Sequence, residues 1–370
     1  MEKIATGLAT AADIVGEDWT LVLGGALIGA LFGAFAQQSR FCLRAATVEF
    51  AHGRIGEKTA VWLIVFTTAL TGTQALSFGG LLATQEARQI ASPQSLSGAA
   101  LGGLLFGCGM ILARGCASRL LVLSATGNLR ALLSGLVFAI VAQASLRGFL
   151  APVRESLARP LTTASTGGND LLALTGIDSA TALRLSLAAA LVALILATWR
   201  RVGGRVTVAA FCVGLMIPAA WFLTGTMSGV AFDPVQVESL SFTGPSADTL
   251  MLFLTPSEGG LDFDVGLVPG VFVGAFAAAA LTGQLKLEGF HDGRSMRRYL
   301  AGASMMGFGG MLAGGCAVGA GVTGASVFAL TAWVALFAIW IAACLTHWLV
   351  DRPEREPATP AHIADMRPAQ

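Results

Sequence analysis

Long apolar stretches alternate with short polar ones along almost all of the chain. Nine are long and charge-poor enough to predict membrane-spanning helices, at 21–38, 60–82, 98–113, 131–147, 182–199, 206–224, 265–282, 298–313 and 329–349. The runs are continuous rather than alternating, which excludes a transmembrane β-barrel. The two that end at Ala113 and Ala313 are short for a hydrocarbon core of about 30 Å. Both lead straight into a polar, cysteine-bearing stretch, "ARGCASRLLVLSATGNL" from Ala113 and "AGGCAVGAGVTGASVF" from Ala313. That arrangement predicts helices broken inside the membrane.

Composition agrees with a polytopic membrane protein. The chain is 55% hydrophobic and 12% charged, about half the charged share of a soluble domain. None of the nine segments holds an Asp or Glu. Intramembrane carboxylates mark proton relays and cation sites, so the expectation is against a cation antiporter or ion pump. There is no Walker sequence for ATP, and no basic cluster interleaved with aromatics to suggest nucleic acid.

Net charge is uninformative, but its distribution is not. With nine spans, 17 of the 23 Lys and Arg fall on one side, among them Arg40, Arg44, Arg114, Arg119, Arg200, Arg201 and Arg298. The other side receives Lys3, Arg88, Arg147, Arg154, Arg159 and Arg184. The positive-inside rule makes the richer side cytoplasmic, with the N-terminus outside and the C-terminus inside. The first apolar run has a signal-like core and an Ala34-Phe35-Ala36 triplet. Asp13, Glu17 and Asp18 precede it, against Lys3 alone, so it reads as a retained helix.

An internal repeat organises the chain. Over Gly107–Ala117 and Gly307–Ala317, seven of eleven aligned positions are identical. A weaker echo pairs "SRFCLRAAT" from Ser39 with "LSFTGPSADT" from Leu240, each after the first helix of its half. Four spans return the chain to its starting side, and the extra span at 182–199 crosses once more. The halves are therefore expected to be inverted, a layout of transporters with a midplane site. The expected fold is an all-α integral membrane protein with about nine transmembrane helices. It comprises two inverted repeats plus short re-entrant half-helices that meet near the membrane centre. The divisions are 1–20, an outer N-terminal segment; 21–150, repeat 1 with the Cys42 and Cys116 loops; 151–205, an outer loop, with one short helix, and connecting helix; 206–349, repeat 2 with the Cys316 loop; and 350–370, a disordered cytoplasmic tail.

A break followed by a new helix exposes backbone amides, which favour an anion. Gly115 and Gly315 permit the turn. Cysteine adds a polarisable thiol, a weak hydrogen-bond donor. Arg114 and Arg119 flank Cys116, and Arg40 and Arg44 flank Cys42, as cytoplasmic anchors or as an electrostatic mouth for the anion. Cys108, Cys212 and Cys344 read as small buried hydrophobes, and Asn128 and Ser118 as caps. His52, His291, His347 and His362 lie near helix ends or in the tail, so no metal or other cofactor is expected.

"QQSRFCLRAAT", "ARGCASRLLVLSATGNLRAL", "SLSFTGP" and "GGCAVGAGVTG" together resemble the YeeE/YedE sulfur-transport family, over about 21–349. The resemblance implies a bacterial inner-membrane protein that takes up thiosulfate and hands it between thiols. By motif those thiols are Cys42, Cys116 and Cys316, with Gly115, Gly315, Arg114, Arg119 and Arg40 supporting the loops. No sulfur-carrier domain is fused to this chain, so any cytoplasmic sulfur-carrier partner is expected to be a separate protein. Two alternatives stand beside this reading. One is a membrane thiol enzyme that forms a persulfide; the other is a transporter of another sulfur or selenium species.

Overall fold

In lipid every backbone amide must be satisfied within the protein, so long apolar runs become helices. The computed structural model describes residues 2–254, 261–289 and 293–351. Among these, nine helical segments are long and apolar enough to cross a membrane, and only isolated bridges stand in place of strands. The chain is an all-helical multi-pass membrane protein.

The first half comprises α1 (Glu2–Val15), α2 (Glu17–Ser39), α3 (Leu43–Ala51), α4 (Glu57–Phe78), α5 (Leu96–Leu112), α6 (Ala117–Ala125) and α7 (Leu129–Leu146). After it come α8 (Ser179–Trp199), α9 (Gly204–Ser228), α10 (Thr243–Leu254), α11 (Phe263–Leu281), α12 (Gly293–Leu312) and α13 (Leu330–Val350). Between α12 and α13 a π-helical turn covers Ala317–Thr323. Each expected span has its helix. The ends differ, because α2 begins at Glu17 and α11 at Phe263. Asp264 thereby enters a spanning helix and is buried, and Glu49 lies in the first long span, Glu17–Ala51. The expectation of carboxylate-free spans is corrected on this point. The Asp262 side chain caps α11 by accepting from the Val265 amide, which starts the helix two residues before the apolar run.

The loop after α7 is more ordered than expected. It holds helices at Ala151–Ala158 and Leu171–Thr175 and a 3-10 turn at Thr163–Thr166. The N-terminal segment is itself a helix, α1, packed on α2 and α9. The tail expected to be disordered lies outside the described residues from 352 onward.

Packing follows small residues. An added Cβ at Gly25, Gly29 or Gly33 of α2 would collide with backbone of α11, and one at Gly266, Gly270 or Gly274 of α11 with backbone of α2. Such four-residue spacing lets two backbones touch where lipid offers no hydrophobic drive to associate. Gly102 and Gly109 of α5 meet Gly302 and Gly309 of α12 in the same way.

The helix pairs have a regular pattern. α2 packs on α11 and α4 on α9; α5 packs on α13 and α12 on α7; α3 packs on α4 and α10 on α11. Exchanging α2 with α9, α3 with α10, α4 with α11, α5 with α12 and α7 with α13 maps this set onto itself. The additional helix, α8, packs on α4.

The 21 residues of α13 span about 31 Å at 1.5 Å each. Its first turn meets Asn169, whose side-chain oxygen accepts from the Thr331 amide and whose backbone oxygen accepts from that of Leu330. At its far end, Asp351 pairs with Arg298 at 2.7 Å and with Arg44 at 3.8 Å. These residues mark the two faces of the molecule.

Candidate functional site

Three cysteines sit where helices stop and restart. α2 ends at Arg40, which adopts a left-handed conformation (φ 52°). Cys42 then occupies the N-cap position of α3. α5 ends at Leu112, Arg114 turns the chain at φ 56°, and Cys116 holds the N-cap position of α6. α12 ends at Leu312, Gly314 makes the same turn at φ 78°, and Cys316 precedes the π-helical turn. Positions 114 and 314 are equivalent in the sequence repeat, so the matching turn is local evidence that the two breaks are built alike.

The breaks bring two of the thiols together. Cys42 and Cys116, 74 positions apart, are close enough for their side chains to act on each other, and the Cys116 sulfur is 3.5 Å from the Ser118 hydroxyl. Ser118 therefore faces the thiol, not the helix start, which corrects its reading as a cap. Cys316 is buried on its own side, where its sulfur accepts from the Gly319 amide at 3.4 Å and lies by the Phe242 amide. All three thiols are free and belong to or pack against one buried cluster.

Two polar cavities flank this cluster. One, of about 250 Å³, is lined by Arg88, Arg154, Gln94, Ser95, Ser241, Thr243 and Gly244 and by the α12 end, Met311 to Gly315, beside Cys316. The other, of about 370 Å³, is lined by Arg40, Arg119, Lys286, Gln37, Gln284, Asn128 and Glu288. Arg119 also acts electrostatically on Cys42, and its buried Nη1 has no partner among the described residues. Asn128 is a cap, as expected, accepting from the Ala131 amide at 2.9 Å; it also donates to Glu288 at 2.6 Å.

The structure distributes the expected residues as follows. Cys42, Cys116 and Arg119 converge, Arg40 lines one cavity and Gly315 the other. Arg114 is exposed and lines neither. Gly115 packs against Leu120. Cys108 accepts from the Thr346 hydroxyl at 3.1 Å, and Cys344 donates to the Thr47 carbonyl at 3.7 Å; both are half-buried. Sequence reasoning missed Arg88, Arg154 and Thr243. Thr243 was signalled only as part of the "SLSFTGP" motif and by the weak echo that sets "SRFC" against "LSFT", which puts Thr243 opposite Cys42. Thr243 is 1% exposed, lines the Arg88 cavity, and its hydroxyl has no partner among the described residues.

A burial pattern of this kind suits a small polar anion. Each cavity carries more arginine and lysine than carboxylate on its wall. Among the described residues no three His, Cys, Asp or Glu side chains cluster as metal ligands, although the rings of His52 and His347 lie 4.9 Å apart.

Comparison with known proteins gives one family model, described as Sulphur transport, that matches residues 38–345. The chain is also similar to the thiosulfate transporter TsuA of Escherichia coli (strain K12), at 27% identity over 91% of this chain and 97% of that protein. It is 28% identical to the thiosulfate transporter TsuA of Spirochaeta thermophila, over 90% of this chain and 99% of that one.

Proposed function

The chain belongs to the Sulphur transport family, and on that footing we propose that it is an inner-membrane uptake transporter for thiosulfate. The observation that carries this reading is the meeting of half-buried Cys42 with buried Cys116, delivered by two separate helix breaks to one point beside Arg119. Transport, not catalysis, is what the family and both relatives are named for.

Thiosulfate carries charge on oxygen and polarisable sulfur at its other end. The arginines at each cavity attract the charge, and thiols solvate the soft sulfur weakly. Weak steps are required, because a deep well would hold the ion instead of passing it. Cys316 serves the Arg88 side, and Cys42 with Cys116 serve the far side, so the ion moves between two thiol stations.

The residues 21–150 and 206–349 form two inverted halves, with the helix breaks as re-entrant elements. Support comes from the exchange symmetry of the helix pairs and from the shared turn at 114 and 314. The Arg88 face is external and the Asp351 face cytoplasmic, by the Lys and Arg bias. A separate cytoplasmic sulfur carrier then receives the ion.

The test is uptake of labelled thiosulfate into proteoliposomes. Cys116→Ala and Cys316→Ala are each expected to lower the initial rate at least a hundredfold while the protein still inserts and purifies as a single species. Wild-type rates in both variants would refute the thiol pathway.

A further inference from the structure

The spanning helices were expected to lack carboxylates, yet Asp264 stands in one, and three carboxylates from outside the spans act on it near the Arg88 cavity. Glu238 lies in the segment between α9 and α10, Asp248 in α10, Asp262 at the cap of α11 and Asp264 in its first turn. Glu238 and Asp264 are 7% and 4% exposed. A methyl group added to Gly244, on the cavity wall, would meet one oxygen each of Asp248 and Asp264 at 3.8 Å. One oxygen of Asp264 has no partner among the described residues.

The cations that face this group are few. Arg88 binds Glu238 at 3.1 Å and acts on Asp248, Asp262 and Asp264, while Arg147 acts on Asp248. Both partners of the Arg88–Glu238 bond are held by their backbones. The Arg88 amide donates to the Val237 carbonyl at 3.0 Å, and the Glu238 backbone exchanges hydrogen bonds with the Thr224 hydroxyl at 2.6 and 3.2 Å. Arg88 is the more exposed partner, with 41% of its side chain accessible against 9% for Glu238. Its guanidinium stands at the cavity, where the buried Thr243 hydroxyl also lacks a partner among the described residues.

From this geometry we infer that the Arg88 cavity captures thiosulfate together with a proton. Arg88 exchanges its bond to the Glu238 carboxylate for one to the incoming dianion, Thr243 donates to the same ion, and Glu238 takes a proton from solvent as it is released. The inference rests on the transport reading above and adds a capture site and its linkage to protons. An ionised Glu238 left behind without Arg88 would stand buried among three other carboxyls, so release of the arginine requires the proton. Burial already lifts the Glu238 carboxyl to about 7, against the pull of Arg88. Burial likewise raises Asp248 and Asp262. Below about pH 7 Glu238 is protonated and Arg88 is free, so affinity is highest there and falls as pH rises.

Thiosulfate binding to the purified full chain, measured by calorimetry from pH 6 to 9 in buffers of different ionisation enthalpy, tests this. Thiosulfate stays a dianion throughout, so any slope belongs to the protein. Wild type is expected to take up a proton on binding and to lose about tenfold in affinity per pH unit at the alkaline end, the limit for one linked proton. Glu238→Gln should bind with a pH-independent affinity near the acid value of wild type, and Arg88→Ala should bind weakly at every pH. A flat wild-type profile, or a Glu238→Gln variant that keeps the wild-type slope, would overturn the inference and leave the transport reading intact. No thiosulfate binding by folded wild type at any pH would overturn the transport reading, and the inference with it.

Discussion

Thr243 is a buried hydroxyl at a cavity wall with no partner among the described residues. Leaving such a group unsatisfied costs about 1–3 kcal/mol, which a bound oxyanion would recover. Thr243→Val removes the donor and keeps the shape. It is expected to raise the KM for thiosulfate uptake about tenfold, equivalent to about 1.4 kcal/mol, with no loss of thermal stability; Thr243→Ser should restore the wild-type value. Uptake kinetics on the three proteins decide it, and an unchanged KM in the valine variant removes Thr243 from the site. The same residue shows where sequence reading stops. A Gly-Cys pair after an apolar run is a local signature, so Cys116 and Cys316 were legible one at a time. Cys42 beside Cys116, or Thr243 beside Arg88, is a product of the fold. Their cavities are assembled from segments far apart in the chain, from Arg88 to Thr331 in one and from Gln37 to Glu288 in the other.

At the level of elements, hydropathy located the nine helices that are long and apolar enough to span among the described residues, because in lipid an apolar run has no other way to satisfy its backbone. The helix ends were less legible. The Asp262 cap extends α11 over a charged residue that hydropathy alone had left in the loop. The glycine seams were legible only as small residues, since which backbone they meet depends on the partner helix. Gly270 in α11 abuts the Ala26 backbone of α2, so Gly270→Leu is expected to force the pair apart and cost more than the 1–3 kcal/mol typical of overpacking. The loss should appear as aggregation in size-exclusion chromatography, and a monodisperse variant of normal stability would refute the seam. The breaks invite the opposite substitution. Arg114 adopts φ 56° where its counterpart Gly314 adopts φ 78°, a left-handed conformation that costs a non-glycine residue about 1–2 kcal/mol. Arg114 is also exposed. Arg114→Gly should therefore fold with unchanged or slightly raised melting temperature, which differential scanning fluorimetry would register.

For the molecule as a whole, the question is what ties the two halves together at the face remote from Arg88. Asp351, just past α13, meets Arg298 of α12 at 2.7 Å, Arg44 of α3 at 3.8 Å and His347 of its own helix at 3.4 Å. One carboxylate thus joins an element of the first half to two of the second. Partial burial alone would raise its pKa, but bonding to Arg298 and His347 and the charge of Arg44 outweigh it and hold the carboxyl below its ordinary range. A depressed folded-state value stabilises the fold above the unfolded pKa of about 3.9 and loses that contribution as pH falls through the folded one. Asp351→Asn should therefore lower stability by about 1 kcal/mol at neutral pH, a figure that allows for the cluster's partial exposure. The gap between wild type and variant should start to narrow below about pH 4 and close as pH falls through the lower pKa of the folded carboxyl. Melting curves of both proteins in the same detergent, from neutral pH down through that range, measure this directly. A gap that persists unchanged into acid would mean that Asp351 holds the halves by shape and hydrogen bonding, with its charge irrelevant.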